Sequence, residues 1–409
     1  MARKTSKCPL TMGMMDTQSP YQIDRLATLA QLDTLKKDWT DLVNEIPGAP
    51  IFLTWEWIRT WWLYFGQDRE LWLLTARDKQ GKLLGLAPLM REFTRMGWLK
   101  IRMMAFIGTG RIHPVHLNIL AHPSDQKGLY QAFLNILLSK SDQWDVISFA
   151  SVAQDSTSVS LLMAAGGSVR IVPQEPLPYI PLPSNWEIYL KAVSKKLRRN
   201  LKYFLSKLED DYPGRVIFAC VTDPRELQSA MEKLEELNKR RWHAIKLFTP
   251  FYDPTYSSFH QTIACQALNR GWLRLYTLTV VDRVIALFYC FHFQNRVYAY
   301  QIGFDLDWSG YSPGRLLIAY GIQTAIQESA SELDWGPGDD DYKLAWTDQI
   351  RVENEILFSG SWRGGLWIKW KNFQGILKIK AKQWLPQTAQ LRIKQFLSDR
   401  QKLNLRGAS

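Results

Sequence analysis

Residues Arg296 to Trp346 decide the fold, and they read RVYAYQIGFDLDWSGYSPGRLLIAYGIQTAIQESASELDWGPGDDDYKLAW. From Arg296 to Gly303, aromatic, aliphatic and polar residues alternate, which is typical of a β-strand. A helix is predicted to begin at Pro313, because proline is favoured at the first helical position and Ser312 suits the N-cap before it. Glu332 to Trp335 is short and apolar enough to return as a parallel strand. The buried face of the predicted helix consists of Ile318, Ile322, Ala325 and Ile326.

The start of this helix is a candidate anion site. A helix start leaves backbone N–H groups unpaired and carries the positive end of the helix dipole. The amides of Gly314, Arg315 and Leu316, with Ser312, are therefore predicted to receive a phosphate, and Gly314 has no side chain to hold it away. The alternative interpretation is that Ser-Pro-Gly only begins a helix, and the tetrapeptide alone does not decide between the two.

Two further strands are predicted ahead of this stretch. Trp272 to Val281 and Val284 to Phe293 are predicted as antiparallel neighbours that turn at Asp282-Arg283. Gln294-Asn295 is a second turn, into the strand that begins at Arg296. The second half of the chain is thus predicted to be a three-stranded meander, a helix and a parallel return strand.

Length and composition set the class of protein. The 409 residues, 46% of them hydrophobic, leave material for two folded domains. The four cysteines lack the paired spacing of metal ligands, which favours reduced thiols in a cytoplasmic protein and predicts no metal site. No run reaches about 18 uncharged apolar residues, so no membrane span is predicted. The chain has no G-x-S-x-G nucleophile motif, which agrees with direct attack by an acceptor amine or hydroxyl.

Most of the positive charge lies at the C-terminal end. The net charge is +12, and Arg363 to Ser409 holds 11 Lys or Arg residues against one acid, Asp399. Trp362 to Trp384 interleaves aromatic and basic residues, which suits an amphipathic helix on an anionic membrane surface. A terminal helix that packs its aromatic face on the preceding domain fits the same pattern, and both interpretations stay open. The nearly neutral remainder of the chain disfavours nucleic-acid binding, with an exception kept for tRNA.

Prolines mark the boundary between two predicted domains. Five of them lie between Val172 and Ser184, where Tyr179 to Leu182 is still compatible with an edge strand. The predicted segments are a flexible lead-in (1–20), an N-terminal domain (21–180), a C-terminal domain (181–361) and the basic amphipathic tail (362–409).

A helix is predicted from Trp186 to Glu209, with an apolar face and a strongly basic opposite face. The basic side chains are either a solvated surface or a means of steering an anionic acceptor or carrier toward a cleft. The basic residues are Lys191, Lys195, Lys196, Arg198, Arg199 and Lys202.

Several short motifs occur in a fixed order along the chain. They are Arg240-Arg241-Trp242-His243, Gly271-Trp272-Leu273-Arg274-Leu275, Ile285-Ala286, Gly303-Phe304-Asp305, Ser312-Pro313-Gly314, and Asp334 through Gly338 followed by Tyr342-Lys343-Leu344-Ala345-Trp346. Their order and spacing resemble the core of the GNAT acyltransferases, in particular the cellulose-biosynthesis (CelD-like, BioF2-like) branch related to the FemAB peptidyltransferases. The resemblance is strongest from about Lys191 to Arg351 and weaker from about Phe52 to Ile180.

Two departures accompany the resemblance. The usual GNAT phosphate loop, a Gln or Arg followed by spaced glycines, is absent, and the loop after Asp334 holds Asp339, Asp340 and Asp341. The resemblance nevertheless implies an α/β (α+β) fold of two tandem GNAT-like domains. Each domain is a mixed, mostly antiparallel sheet flanked by helices, and the degenerate first domain walls the acceptor cleft of the second.

The resemblance also implies which residues perform the chemistry. Asp305 and His243 are the candidate general bases, and the reference pKa of histidine lies near neutrality. Tyr342 is expected to protonate the departing thiolate, and Lys343 to stabilise an oxyanion or a phosphate. Simpler roles stay open, because basic residues complement a helix C-terminus and Lys343 could only neutralise neighbouring acids. The residues assigned to substrate binding are Arg241, Trp242, Asp334 and Trp335.

The resemblance favours an N- or O-acyltransferase that acts on a small-molecule or saccharide acceptor, and it implies a role in cell-surface polysaccharide synthesis. Acyl-CoA is the expected donor and no metal is expected, while an acyl carrier protein and an aminoacyl-tRNA are alternative donors. A non-catalytic partner of a membrane polysaccharide assembly is the other class of function. The expected location is cytoplasmic, with peripheral contact at the inner membrane face.

Overall fold

The computed structural model describes residues 20–154 and 156–384, with side chains as far as residue 375. The predicted lead-in, apart from Pro20, and the tail beyond Trp384 lie outside the described residues. The strands are β1 (Gln22–Leu26), β2 (Glu70–Arg77), β3 (Leu83–Met96), β4 (Leu99–Phe106), β5 (Leu120–Ala121), β6 (Val146–Ala153), β7 (Ser168–Pro181), β8 (Val216–Cys220), β9 (Leu273–Val280), β10 (Arg283–Phe293), β11 (Arg296–Phe304), β12 (Glu332–Asp334) and β13 (Ile350–Ser359). The helices are α1 (Leu29–Thr34), α2 (Lys36–Glu45), α3 (Trp55–Phe65), α4 (Gln126–Ser139), α5 (Thr157–Ala164), α6 (Trp186–Ala192), α7 (Lys195–Asp211), α8 (Pro224–Ala244), α9 (Pro254–Asn269), α10 (Pro313–Gln327), α11 (Asp341–Leu344) and α12 (Trp362–Trp384).

The described strands join into one sheet. Its order is β1-β2-β3-β4-β6-β13-β7-β12-β11-β10-β9-β8, with β5 paired to β3. Most neighbours are antiparallel, whereas β4 with β6 and β11 with β12 are parallel. Helices cover the sheet, with α10 on β9, β10 and β11, and α8 on β10 and β11. The mixed α/β class predicted from the sequence is therefore confirmed.

The meander predicted in the second half is present. Strands β9, β10 and β11 are antiparallel neighbours, and β12 returns parallel to β11. The turn between β9 and β10 has its positive backbone angles at Val281 and Asp282, with φ of 50° and 61°. Two consecutive left-handed residues match the twist of a two-residue hairpin. The turn lies one residue earlier than predicted.

The boundary between the predicted domains is a strand shared by both. The first part of β7 pairs with β13, and its last three residues, Tyr179 to Pro181, pair with β12. Strand β13 belongs to the predicted C-terminal domain in sequence but lies between β6 and β7 of the first. The proline-rich segment can be a central strand because the β13 register shifts between Val352 and Asn354, opposite Pro176 and Pro173.

The two halves also share a hydrophobic core. Helix α3 packs on α9 of the second half, and the Trp57 ring contacts Phe259 and Phe291 at centroid distances of 5.4 and 5.5 Å. A hydrogen bond of 2.7 Å joins the Tyr64 and Thr262 hydroxyls across the same boundary. The halves are therefore held as one body by buried aromatic surface.

The helix predicted from Trp186 to Glu209 is interrupted. Helix α6 ends before Val193, which is extended, and α7 begins after Ser194. The Ser194 side chain accepts a hydrogen bond from the Leu197 amide at 3.2 Å and so caps α7. The prediction of one helix was wrong because the apolar spacing continues through the break, while the capping serine marks a new start.

The tail helix α12 has one buried side. Trp367 and Ile368 are buried against Leu99, Ile101 and other apolar residues of the sheet. The packing alternative is thus confirmed for this face, while Trp362, Leu366 and Phe373 stay exposed on the helix. None of the described helices is long and apolar enough to cross a membrane.

Candidate active site

A gap opens between β11 and β12. These strands pair from Arg296 with Glu332 to Tyr298 with Asp334, and no further. Beyond that point the chain turns to β7, because the Trp335 amide donates to the Pro178 carbonyl at 3.0 Å. Strand β11 continues to Phe304, so its far half faces an open cleft.

This cleft holds a cavity of about 300 Å³ between the two halves. Its walls come from β11, the segment after β12, helix α8, and loops of the first half. The lining residues include Phe52, His113, Val115, Glu175, Asn238, Arg241, Trp242, Tyr256, Tyr298, Tyr300, Gln301, Ile302, Asp334, Trp335, Pro337, Asp340, Tyr342 and Lys343.

A second cavity, of about 380 Å³, adjoins the start of α10. It is lined by Ser309, Ser312, Pro313, Gly314, Arg315, Ile318, Phe304 and Trp346, and it shares Arg241, Ile302 and Tyr342 with the cleft. The helix start predicted from the sequence therefore faces a cavity, and this cavity adjoins the cleft at the three shared side chains.

The backbone at the helix start differs from the prediction. Ser312 is left-handed, with φ of 52°, and its side chain makes no capping hydrogen bond, so the predicted N-cap role of that side chain was wrong. The Ser312 carbonyl accepts from the Arg315 and Leu316 amides at 3.0 and 3.2 Å. Two of the three amides predicted to be unpaired are thus paired. Of these three, only the Gly314 amide has no hydrogen-bond partner among the described residues and remains free to bind a ligand.

Gly314 also has a packing role. A Cβ atom at this position would lie 3.0 Å from Cδ1 of Phe304. Glycine therefore allows the close approach of α10 to the Phe304 ring, independently of any bound phosphate.

Arg241 and Tyr342 stand where the two cavities meet. The Arg241 guanidinium lies 5.4 Å from the Phe304 ring centre and within 3.5 Å of the Ile302 carbonyl, and burial lowers its pKa. The Tyr342 ring contacts Trp335 edge-on at 6.2 Å. Tyr342 is 41% exposed, yet desolvation by the surrounding protein raises its pKa to about 12, so its hydroxyl keeps its proton at neutral pH.

Lys343 organises the loop after β12. Its ammonium donates to the Pro337 and Gly338 carbonyls at 2.6 and 3.2 Å and lies 3.9 Å from an Asp340 oxygen. The side chain is buried, and this burial lowers its pKa. Lys343 thus holds the loop in place at the wall of the cleft, beyond the simple neutralisation of neighbouring acids.

A buried histidine of the first half links the cleft to β13. Nε2 of His116 lies 2.7 Å from Oδ2 of Asp334, and its Nδ1 lies 2.7 Å from Oε1 of Glu353. Burial alone would lower the pKa of His116, but hydrogen bonds to the two carboxylates raise it to about 9. Burial alone would raise the pKa of Asp334, but the His116 hydrogen bond and charge lower it. This is a charged bridge between the halves, and it gives Asp334 a fixed orientation.

Asp334 is further fixed by its own loop. Its Oδ1 accepts from the Gly336 amide at 2.7 Å. Asp334 therefore stabilises the loop that follows it, and it also lines the cleft beside Trp335.

His113 is the titratable histidine that faces the cleft. It belongs to the same loop of the first half as His116, and its backbone is left-handed, with φ of 44°. Although His113 is exposed to solvent, desolvation by the neighbouring protein lowers its pKa, opposed by the Glu175 charge and assisted by the Lys343 charge. The imidazole is accordingly neutral at physiological pH.

The two bases predicted from the resemblance lie elsewhere. His243 is exposed near the end of α8 and lines neither cavity. Asp305 is buried, ion-paired with Arg283 and lies 3.4 Å from Arg240, and it caps the 3₁₀ turn Leu306–Tyr311. Neither residue lines the cleft, and Asp305 is already ion-paired, so this geometry favours another residue as the cleft base.

The histidines that do enter the site were not singled out in the sequence. His113 and His116 share the short segment His113-Pro114-Val115-His116 after Gly108 and Gly110, which is a turn-like signal in sequence terms. Nothing local predicts that His116 meets Asp334, more than 200 residues away. Only the pairing of strands across the whole sheet brings them together.

Residues 195–344 match the family model of the acetyltransferase (GNAT) domain, a segment that runs from α7 to α11. The crystal structure of FemX aligns with a TM-score of 0.56 at 11% identity, over 82% of this chain and 96% of the FemX chain. This likeness shows a shared fold over most of both chains.

Weaker structural similarities accompany it. A C-terminal domain of a putative lysylphosphatidylglycerol synthetase from Agrobacterium fabrum aligns with a TM-score of 0.49 at 12% identity, over 83% of this chain and 95% of that domain. A tandem GNAT protein from the clavulanic acid biosynthesis pathway aligns with a TM-score of 0.43 at 11% identity, over 82% and 98%. No curated protein sequence matches the chain.

Proposed function

We propose that the protein transfers an acyl group from a thioester carrier, acyl-CoA in the first place, to an amine or hydroxyl acceptor. The observation that supports this most is the pair of cavities joined at Arg241, Ile302 and Tyr342 within the GNAT-matching segment. One cavity lies at a helix start, where the Gly314 amide and the positive end of the helix dipole favour an anionic carrier. The other is a cleft between the halves suited to an acceptor.

The reaction is a direct displacement. The acceptor nitrogen or oxygen bonds to the thioester carbonyl carbon, and the carbon–sulfur bond then breaks. The acceptor loses a proton to a base, and the departing thiolate gains a proton from an acid. The protein therefore has to supply a base in the cleft and a proton donor at the junction.

His113 is the proposed base. It lies in the cleft, and its lowered pKa leaves the imidazole neutral and able to take a proton. Glu175 and Lys343 are the charged neighbours that act on it. The first half thus supplies a chemical group in this proposal, in addition to walling the cleft as the resemblance implies.

Tyr342 is the proposed proton donor. Its hydroxyl is at the junction of the two cavities, where the thioester would lie, and its raised pKa keeps it protonated. Arg241 supplies positive charge at the same junction. This charge favours the oxyanion that develops on the carbonyl oxygen, or a phosphate of the carrier.

The cleft favours a polar acceptor with flat or ring-shaped parts. Three aromatic side chains, Trp242, Trp335 and Tyr298, line the cleft. The side-chain amides of Asn238 and Gln301 line it as well. A small molecule or saccharide fits such a lining, and a role in cell-surface polysaccharide synthesis and kinship with the CelD-like branch remain part of the proposal. A cytoplasmic location, where acyl-CoA is available, fits the same picture.

An aminoacyl-tRNA is the second candidate donor, and the basic side of α7 favours it. Lys195, Lys196, Arg199 and Lys202 are exposed on that helix. Further along α7, Lys207 lies 3.5 Å from the Gly310 carbonyl and 4.7 Å from the Tyr311 ring centre, next to the cavity at the helix start. A basic surface at the carrier cavity would recognise a nucleic-acid backbone.

Thermal unfolding of the full chain separates these functions. A donor whose free concentration is 100 times its dissociation constant stabilises the folded state by about 2.7 kcal/mol. Acetyl-CoA, an acylated carrier protein and charged tRNA are added separately, with free adenosine as a control. Stabilisation by acetyl-CoA or the carrier protein supports a thioester donor, and stabilisation by charged tRNA alone supports the second candidate. No response to any of the three contradicts a catalytic role and favours a non-catalytic partner.

A further inference from the structure

The hairpin of β3 and β4 projects beyond the sheet. The last pair between β2 and β3 joins Glu70 to Arg91, and the first pair between β4 and β6 joins Met103 to Val146. Residues 93–102 therefore pair only with each other in the sheet and form a two-stranded finger, here called the finger. Trp98 lies in the turn between β3 and β4 and has 89% of its surface exposed.

The start of α12 lies against this finger. A guanidinium nitrogen of Arg363 donates to the Lys100 carbonyl at 2.6 Å, two residues from Trp98. Trp367 and Ile368 pack in one hydrophobic cluster with Leu99 and Ile101 of β4. The tip of the finger and the first turns of α12 thus lie at one edge of the molecule.

The opposite side of α12 presents large apolar side chains to solvent. Trp362, Leu366 and Phe373 are 73%, 49% and 61% exposed. Their spacing of four and seven residues places them on one face of the helix. Exposed aromatic residues therefore occur on both the finger and the helix beside it.

Positive charge surrounds these residues. Residues 93–101 hold Arg95 and Lys100 and no acid, and residues 361–375 hold Arg363, Lys369 and Lys371 and no acid. Lys371 lies 3.1 Å from Glu355 and Arg363 lies 3.8 Å from Asp145. Among the described residues, no acid pairs with the other three cations, so they are available to an anionic partner.

We infer that the finger and the exposed face of α12 together dock on the surface of an anionic lipid bilayer. Tryptophan is favoured at the interface of a membrane with water, and lysine and arginine beside it are attracted to anionic headgroups. A second copy of the chain fits less well, because the centre of a protein interface is depleted in lysine, whereas lysines here stand between the aromatic residues. The inference extends the membrane interpretation of the tail to a second element, and it does not depend on the proposed catalysis.

Vesicle flotation of the full chain tests the inference. The probes are vesicles of phosphatidylcholine alone and vesicles of phosphatidylcholine with about 30 mole per cent phosphatidylglycerol. The wild-type protein is expected to float with the anionic vesicles, and less so at high salt, because the attraction to headgroups is screened. Binding that is equal for both vesicle types, or absent, overturns the inference.

Variants assign the binding to these two elements. Trp98→Ser combined with Trp362→Ser is expected to lower the partition coefficient by about tenfold, since two interfacial anchors are lost. Tyr203→Ser combined with Ile217→Ser removes exposed apolar side chains elsewhere and is expected to leave binding unchanged. Thermal unfolding of both double variants at the wild-type midpoint temperature shows that the fold is intact.

Two results would contradict the docking surface. One is vesicle binding by the Trp98 and Trp362 double variant at the wild-type level. The other is a wild-type dimer, detected by light scattering, that dissociates in this variant while vesicle binding is missing. In the second case the surface is an interface between copies of the chain. Lys369→Gln offers an independent check, because it should weaken binding to anionic vesicles without changing the apolar face.

Discussion

Nε2 of His116 lies 2.7 Å from Oδ2 of Asp334, although the two residues belong to different halves of the chain. The other ring nitrogen lies 2.7 Å from Glu353 on β13, the strand that returns to the first half. The imidazolium therefore joins the loop that carries His113 to the wall of the cleft. The position of His113 relative to Asp334 and Trp335 depends on this bridge.

The bridge predicts a pH dependence of stability. The pKa of His116 is raised from 6.5 to about 9, so its contribution is full below pH 6.5 and is lost as the pH rises through about 9. The lowered pKa of Asp334 adds stability above its ordinary range that is lost in acid. We expect the free energy of unfolding by urea to fall by roughly 3 kcal/mol between pH 6 and pH 10 through His116.

His116→Gln should flatten that alkaline decline. His122→Gln is the matched control, because His122 is also in the first half but lies 3.4 Å from the carboxylate of Glu45 on the partly exposed surface. An alkaline slope in His116→Gln as steep as in the wild type would show that the bridge is not charged.

Gly314→Ala should destabilise the protein by about 1 kcal/mol or more, because the added Cβ crowds the Phe304 ring. Gly310→Ala is the control, since a Cβ there meets no atom within 4 Å. Chemical unfolding of both variants measures the difference. Adding Phe304→Leu to Gly314→Ala should restore part of the loss, and equal stability of the two single variants would refute the packing role.

His113→Gln should lower kcat by roughly 10²- to 10⁴-fold with little change in stability, because it removes the proposed base. In the wild type, the lowered pKa of His113 predicts that activity rises with pH through a midpoint below 6.5. This acidic limb should be missing from the pH profile of His113→Gln.

His243→Gln is the matched control for that experiment. His243 was the base expected from the sequence, yet it is exposed outside both cavities. If His243→Gln loses activity and His113→Gln does not, the assignment of the base made from the structure is wrong.

Tyr342→Phe should lower kcat by about 10²-fold while the KM for the acyl donor changes little, because only the proton donor is removed. The effect should shrink with a thioester whose leaving thiol is more acidic, since a better leaving group needs less protonation. Tyr203→Phe, an exposed tyrosine of α7, controls for the loss of a hydroxyl. A pure KM effect would instead indicate a role in binding.

The sequence predicted the elements that depend on local chemistry. The β9–β10 turn, the start of α10 at Pro313 and the short strand β12 all follow from turn residues, proline and apolar spacing. The left-handed conformation of Ser312 was missed, because a serine before proline usually suggests a cap. The contact that forces Gly314 comes from Phe304 on another element and leaves no trace in the local pattern.

Features that depend on the assembly of the sheet were out of reach of the sequence. The insertion of β13 between β6 and β7 places Glu353 beside His116, and it follows from strand pairing between distant segments. Asp305 is a case in which the local sequence suggested a role that depends on distant residues. Its position after β11 suggested a cleft base, but Arg283 and Arg240 pair with it on the other side of the strand end.

A crystal structure of the full chain with bound CoA tests the central claim most directly. The account predicts that the phosphates and the pantetheine arm occupy the cavity beside Gly314, and that the sulfur lies about 3.5 Å from the Tyr342 hydroxyl, between Arg241 and the cleft. CoA bound at another surface, with both cavities unchanged, would contradict the account.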